Sequence, residues 1–446
     1  MPHGFGRPHG SFILVGYCCL KIANNTVRIV CVSSNFKDMH VFDNVQRFHL
    51  IRHEIIVLEY DQSIEKYLIL RILHIDKSKY IATKILHRFH FEGKTDTSVY
   101  RNFDWSFYFN GNLYLLVQKN GSNLCLCMID QYEQLIQLVC NLSTHDLEDD
   151  KCPVVINPHL PGVIYANLKN DDLMTRTYLS LDNGKNFLPI SFKGDSGCDE
   201  NNCSVELHLR CSKDFIQTHF PEKWIVKFEG SAHKNGFTSR HTFVSFNGGK
   251  RWKLFNSRIE NLVIVNSGGL MFGAESETGK IWYSYDEGWN WHKKYVFAYN
   301  FVLVQPLEST NNLVIAGINY DERKNISTLF LFNFSHVISN FYLMKDRMCQ
   351  KEDFETWYVP RYFGNCFQGE EISYMKKSSF ALCVDNGAFG RGTSNSCPCS
   401  LEDFHCKPNY YSKDNFCVLD PFSGPIEPRT KCLDGGKPLT RWNGYD

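Results

Sequence analysis

Apolar positions along this chain come in short bursts rather than in long helical stripes. Phe12-Ile13-Leu14-Val15, Val27-Arg28-Ile29-Val30, His53 to Leu58, Asn112 to Val117, Trp224 to Phe228 and Asn312 to Ala316 are the clearest. Each is four to six residues long, rich in β-branched and aromatic side chains, and bounded by Gly, Asn or Asp, which is the signature of a strand. Little sustained 3.6-residue periodicity appears, so helices are not expected. Many short strands with regular turn signals predict an all-β sandwich, barrel or propeller. The run Phe12–Leu20 contains Gly16 and two cysteines and falls short of the ~18 apolar residues of a membrane span, so it is read as a strand.

Internal repetition narrows the architecture. Ser180-Leu181-Asp182-Asn183-Gly184-Lys185-Asn186-Phe187, Ser245-Phe246-Asn247-Gly248-Gly249-Lys250-Arg251-Trp252 and Ser284-Tyr285-Asp286-Glu287-Gly288-Trp289-Asn290-Trp291 share one template, Ser-x-Asp-x-Gly-x-x-Trp. The pattern resembles the Asp box. The Asp or Asn side chain satisfies local backbone donors, Gly supplies a positive φ, and the last aromatic anchors the turn. The repeats begin 65 and 39 residues apart, around the ~40–50 residues of a four-stranded propeller blade, and the longer interval holds an insertion with Cys198, Cys203 and Cys211. Ser180, Asp182, Gly184, Phe187, Ser245, Asn247, Gly249, Trp252, Ser284, Asp286, Gly288 and Trp291 are therefore structural, and none is assigned a catalytic role.

Composition sets the compartment. Of 18 cysteines, eight crowd into the tail from Cys349 onward, a region too poor in apolar runs to stabilise itself by burial alone, so cross-links must contribute. Cys198 and Cys203 are expected to close a small loop. Cys125, Cys127, Cys140 and Cys152 can supply one or two more bridges, whereas Cys18, Cys19, Cys31 and Cys211 have no assigned partner. Six Asn-x-Ser/Thr sequons, Asn24, Asn120, Asn141, Asn202, Asn325 and Asn333, point to the secretory route. A formal charge of +0 offers no basic field for a nucleic-acid partner. Cys397, Cys399, Cys406 and His405 lack the paired Cys-x-x-Cys knuckles of a zinc site, so neither metal nor cofactor is expected. Seventeen histidines, His49, His53, His87 and His90 among them, raise the idea of a pH switch without singling out a sensor.

An Asp-box propeller followed by a cysteine-rich tail resembles the sortilin family of sorting receptors, with their vacuolar-sorting-receptor type lumenal domain. Cys349 with Asp353, Phe354 and Trp357 looks like the opening of that family's ten-cysteine module. Cys366-Phe367-Gln368-Gly369, Tyr374 with Lys376-Lys377-Ser378-Ser379 and Cys383 match the next stretch. Cys397-x-Cys399-Ser400-Leu401-Glu402-Asp403-Phe404-x-Cys406 with Tyr410-Tyr411 and Cys417 is similar again, and Cys432 continues it. Ser196 to Leu209 and Leu262 to Gly269 carry the likeness into the blades.

The resemblance implies disulfides among Cys349, Cys366, Cys383, Cys397, Cys399, Cys406, Cys417 and Cys432, and a ten-bladed propeller. Residues 1–348 suffice for about six or seven blades, and residues 349–446 for a module with eight of ten cysteines. The chain is thus expected to be partial, with early blades, the module's end, the membrane anchor and the cytosolic tail lying outside it. The implied function is binding of peptide or protein cargo in the propeller tunnel by added extended backbone and an arginine on a terminal carboxylate, with transport between Golgi, endosomes or lysosomes and the cell surface. That arginine is not placed on a numbered residue. Two alternatives stand beside this: a soluble decoy glycoprotein of the same family, or a secreted sialidase-like hydrolase. The latter needs an arginine cluster and a Tyr nucleophile supported by an acid. Arg47, Arg52, Arg71, Arg176, Arg240 and Arg251 fall in no such motif, so no enzyme is expected.

Overall fold

A computed structural model describes strands between residues 14 and 142. Beyond them it describes residues 151–169, 174–190, 203–210, 215–234, 237–255, 258–275, 278–307, 313–334 and 348–398, with the strands Ser339–Asn340, Lys345–Asp346, Tyr410–Lys413 and Phe416–Leu419. The chain forms two compact units, residues 1–142 and 143–446.

The first unit is built of antiparallel meanders. Leu14–Ile22, Asn25–Ser33 and His40–Phe42 pair in chain order, and Val45–Ile51, Glu54–Tyr60, Tyr67–Ile75 and Ile81–His90 make a four-stranded sheet. Ser106–Phe109, Asn112–Lys119, Asn123–Ile129 and Leu135–Leu142 follow the same pattern. Here Leu113, Tyr114, Leu116, Leu124 and Leu126 are buried, and a bulge between Leu124 and Cys127 accompanies the Cys125–Cys140 disulfide.

The second unit repeats a blade. The first group of paired strands is Val154–Ile156, Ile164–Lys169, Thr175–Ser180 and Leu188–Pro189. The next holds Cys203–Leu207, Val226–Lys234, Phe237–Ser245 and Lys253–Phe255, and the third Ile259–Val265, Leu270–Glu275, Lys280–Ser284 and His292–Tyr295. The last has three strands among the described residues, Phe301–Pro306, Val314–Asp321 and Ile326–Asn333. Each strand pairs antiparallel with its chain neighbour, as short apolar runs joined by tight turns require.

Blades bury their apolar faces against one another. Tyr165 of the first meets Phe228 and Trp252 of the second. Trp224, Val244, Phe246 and Phe255 of the second cluster with Leu262 and Met271 of the third. Phe272 and Ile281 of the third pack on Phe301 and Ile315 of the fourth. A five-residue helix, Phe215–His219, interrupts the all-β pattern between Cys203–Leu207 and Val226–Lys234.

The cysteine-rich segment forms its own small sheet. Glu370–Lys377 pairs with Phe354–Tyr358, Cys366–Phe367 and Gly392–Ser396, and disulfides Cys349–Cys383 and Cys366–Cys397 close it. Its buried cluster is little more than Cys349, Phe354, Ala381 and Cys383, so covalent closure replaces a missing core. Cys203 and Cys152 are also disulfide-bonded. Cys198, Cys399, Cys406 and Cys432 lie outside the described residues, as do Asn24, Asn120 and Asn202.

Candidate functional site

The three repeats fold into one turn, held by one hydrogen-bond pattern. The hydroxyls of Ser180, Ser245 and Ser284 donate to Oδ1 of Asp182, Asn247 and Asp286 at 2.9, 2.9 and 2.8 Å, and accept the N–H of Gly184, Gly249 and Gly288 at 2.7, 2.8 and 3.0 Å. The same Oδ1 accepts the N–H of the residue four places on, Asn186, Arg251 or Asn290. One side-chain oxygen is enough for this, which is why Asn247 can stand where the other turns have Asp. In those two, the second carboxylate oxygen takes a further bond from Asn186 or Asn290. Burial pushes the Asp286 carboxyl up, but these donors overcome it and hold the group below the usual carboxylate range.

Two successive left-handed residues make each turn: Asn183 and Gly184, Gly248 and Gly249, Glu287 and Gly288. Gly249 and Gly288 are required on a second count. A Cβ at either would collide with an aromatic of the preceding blade, Tyr165 or Phe255 respectively. Trp252 and Trp291 pack edge-on against those same rings, while Phe187 is half-buried. The box residues are fully used in building the turn, which leaves no carboxylate among them free for chemistry.

The cysteine-rich segment sits on these turns. Buried Arg361 donates from Nη1 to the carbonyls of Pro161 and Leu181, at 2.7 and 3.1 Å, beside the first turn. Tyr362 donates to Leu179 O. Lys376 donates to Phe246 O beside the second turn and pairs with Glu287 of the third, each at 3.0 Å, both side chains 9% exposed. Asn266 donates to Cys383 O and accepts the N–H of Asp385, whose carboxylate accepts from Ser267. A small, disulfide-closed sheet thus clamps three consecutive blades at their turns.

Away from that clamp, a polar cleft of about 530 Å³ opens between the second and third blades. Alternation along Val226–Lys234 puts Lys227 and Glu229 on its floor, and the paired strand Phe237–Ser245 adds Arg240 and Thr242. Arg210 comes from the segment after Cys203–Leu207, His219 from the short helix, and Ile259 and Leu262 from the facing blade. Glu229 accepts from Arg240 at 2.6 Å and lies 3.6 Å from Arg210. Partial burial raises its pKa, but the bond and charge of Arg240 and the charge of Arg210 overcome this and set it below the ordinary value.

Lys227 reaches across the cleft to Leu262 O at 2.7 Å, and desolvation lowers its pKa to about 8. His219, 5% exposed, stacks on Phe228 and donates from Nδ1 to Lys227 O at 2.8 Å. Desolvation lowers its pKa to about 4, so the ring stays neutral with a lone pair on Nε2. That atom is buried without a hydrogen-bond partner among the described residues. Burial likewise lowers the pKa of His159 and His233, the other described histidines with a resolved shift. All three therefore protonate later on acidification than a free imidazole, the reverse of an early-triggering switch. His49, His53, His87 and His90 are described in backbone only or not at all.

Of the residues named from the sequence, Arg240 lies in the cleft, Arg251 on the second turn, and Arg47 and Arg71 on strands of the first unit. Arg52 lies outside the described residues. Sequence reasoning passed over His219, Glu229, Arg210 and Arg361, which carry no local motif, and met Lys376 only within the Lys376-Lys377-Ser378-Ser379 stretch, with no role attached. Among the sequons, Asn141, Asn325 and Asn333 are exposed, the first two in left-handed backbone. No helix among the described residues is long and apolar enough to cross a membrane.

Fold and site define a disulfide-braced, all-β protein built of propeller-type blades. The family model for "Sortilin, neurotensin receptor 3, C-terminal" matches residues 304–445. The chain is similar to the VPS10 domain-containing receptor SorCS3 of Mus musculus, 27% identical over 62% of this chain and 24% of that protein. It is similar to vacuolar protein sorting/targeting protein 10 of Schizosaccharomyces pombe, 23% identical over 67% of this chain and 22% of that one. Among solved structures, the β-propeller domain of the Trilobed protease from Pyrococcus furiosus aligns with a TM-score of 0.31 at 9% identity, covering 72% of this chain and 91% of that one. Over these stretches the chain is similar to the sortilin-type sorting receptors, and it spans about a quarter of the length of the relatives named here.

Proposed function

We propose that this chain is the lumenal ligand-binding region of a sortilin-type sorting receptor, with residues 1–348 as the blade-bearing part and 349–446 as the cysteine-rich module. On this reading it takes peptide or protein cargo and carries it between Golgi, endosome or lysosome and cell surface. The observation that carries the reading is the joint one: the family match over residues 304–445 spans a disulfide-closed sheet clamped onto the turns of three blades. Such a clamp makes a rigid frame, and rigid frames present loops and clefts for recognition. Disulfides and exposed sequons fit an oxidising lumen.

Two observations favour binding over hydrolysis. The Asp-box carboxylate of Asp286 is tied into its turn, and Glu229, the cleft's carboxylate among the described residues, is held ionised by two guanidinia, unsuited to act as a general acid. The test is to express the receptor gene's full product in cultured cells together with a secreted peptide cargo. Retention of the cargo in Golgi-to-endosome compartments is the expected result. Turnover of a fluorogenic sialoside by the purified protein, without retention of any cargo, would overturn the reading in favour of a hydrolase. A transcript with no membrane span downstream would favour the soluble decoy.

A further inference from the structure

We propose that Asn333 carries an N-linked glycan whose first two N-acetylglucosamine units lie in the aromatic cavity between the third and fourth blades, against Tyr283, Tyr285 and His292. The modification rests on the lumenal reading above; the seat of the sugar comes from the cavity itself. Asn333-Phe334-Ser335 is a sequon, and Asn333 is exposed at the end of the strand Ile326–Asn333. In the attachment, Asn333 Nδ2 bonds to C1 of a sugar chain carried on a lipid diphosphate. The bond from C1 to the diphosphate oxygen breaks, the diphosphate leaves with the electron pair, and Nδ2 gives up one proton. Asn333 itself lines the cavity, whose volume of about 470 Å³ suits a small ligand. Asn325, at the other end of the same strand, lies roughly 27 Å away along an extended chain, too far for its first sugars to share the site.

Strand alternation sets the geometry. Phe332 and Phe334 face the third blade, where their rings meet Phe272 at 4.8 and 5.9 Å, while Leu331 and Asn333 face the opposite side. The cavity takes in residues of both faces because, among the described residues, no strand pairs with the outer edge of Ile326–Asn333. A sugar on Nδ2 therefore crosses one strand, roughly 5 Å, to reach the rings. There Tyr283 stacks on His292 at 5.3 Å, and Phe334 closes on Tyr283 and Tyr285 at 5.5 and 6.4 Å. The tyrosines are half-buried and His292 is exposed, so ring surface stays open to a ligand. Aromatic faces carry partial negative charge and attract polarised C–H groups, which a pyranose presents on its flat faces with hydroxyls around the rim. Burial, with a smaller push from Tyr283, raises the pKa of Tyr285, so its hydroxyl stays a donor for a sugar oxygen. The lining holds no carboxylate, and exposed Lys294 adds a second donor, which suits an uncharged ligand rich in acceptors. Seated there, the glycan also covers a strand edge whose Leu329 and Leu331 are 62% and 59% exposed, an edge open to pairing with another chain.

The experiment follows removal of the glycans from the full chain, secreted from mammalian cells, by a peptide-N-glycosidase in heavy-oxygen water, with mass mapping of each sequon. Asn333 should be occupied and, in the native protein, released about tenfold more slowly than the other exposed sequons, Asn141 and Asn325, as one aromatic contact would supply. After denaturation the rates should be equal. Tyr285→Ala should bring the native Asn333 rate towards the others, whereas Tyr285→Phe, which keeps the ring, should leave most of the protection. If Tyr285→Ala fails to fold, His292→Ala provides the test, since that side chain is exposed. In spectra of isotopically labelled glycan, one acetyl methyl should also move upfield by ring current, and Asn333→Gln should abolish that signal. An unoccupied Asn333 in protein glycosylated at Asn141 or Asn325, native release as fast as at those sites, or protection that survives loss of the Tyr285 and His292 rings overturns the proposal and leaves the lumenal reading standing. Protein bearing no glycan at any sequon refutes the lumenal reading itself, and a seated glycan on protein that retains no cargo in cells refutes the receptor reading alone.

Discussion

Lys376 and Glu287 make the most consequential single contact between the cysteine-rich segment and the blades. The pair is 3.0 Å long and 91% shielded on both sides, and Lys376 also donates to Phe246 O. Glu287 pays a conformational cost to be there, because it occupies a left-handed position, φ 55°, that Asn183 and Gly248 fill in the sister turns. Removing one member of a buried pair strands the other, typically about 3–5 kcal/mol. Lys253 donates to Glu287 O at 2.8 Å and its charge reaches the stranded carboxylate, so Lys376→Met is placed at the lower end, about 3 kcal/mol. Glu287→Gln keeps an acceptor for Lys376 and should cost about 1–2 kcal/mol. The double variant replaces the pair by uncharged groups and should lie within about 1 kcal/mol of wild type. Urea unfolding at neutral pH without reductant, followed by tryptophan fluorescence, gives the three values and a coupling of about 3 kcal/mol or more. A coupling below about 0.5 kcal/mol would refute the view that this contact fastens the module.

Three further outcomes follow from the same coordinates. His219 titrates near 6.5 when unfolded and about 4 when folded, so the unfolded chain takes up the extra proton between those values; stability is intact above pH 6.5 and falls, on the order of 3 kcal/mol, as pH drops to 4. His219→Phe should flatten that slope in unfolding measured against pH, and an unchanged slope would count against it. Opening the Cys349–Cys383 bridge by the double Ser variant, which frees a 34-residue separation, should cost about 4 kcal/mol and expose the module to trypsin before the blades are cut. Gly288→Ala meets both a φ of 78° and the Phe255 ring, and a loss of about 2–4 kcal/mol is expected, read as a lowered unfolding midpoint.

Much of the fold was legible because its causes are local. Val27–Val30 and Asn112–Val117 lie inside the observed strands Asn25–Ser33 and Asn112–Lys119. Other strands ran further than their apolar runs: Val226–Lys234 continues through Glu229, Ser231 and His233, because hairpin pairing with Phe237–Ser245 extends over residues whose one face is polar. That polar extension is the floor of the cleft, and apolar pattern alone passes over it. The short helix ending in His219 escaped for the opposite reason, since five residues are too few for a 3.6-residue period to show.

The residues themselves determined the strands, the three box turns and the need for cross-links, since each depends on neighbours within about four positions or on composition. Only tertiary packing decided that Lys376 would face Glu287 and Arg361 the first turn, or that Arg210, His219, Glu229 and Arg240 would converge opposite Ile259 and Leu262. These meetings join groups that lie tens to nearly two hundred positions apart in the chain. Nothing in a local pattern encodes such distances, because they are fixed by how successive sheets stack and which face each presents to the next.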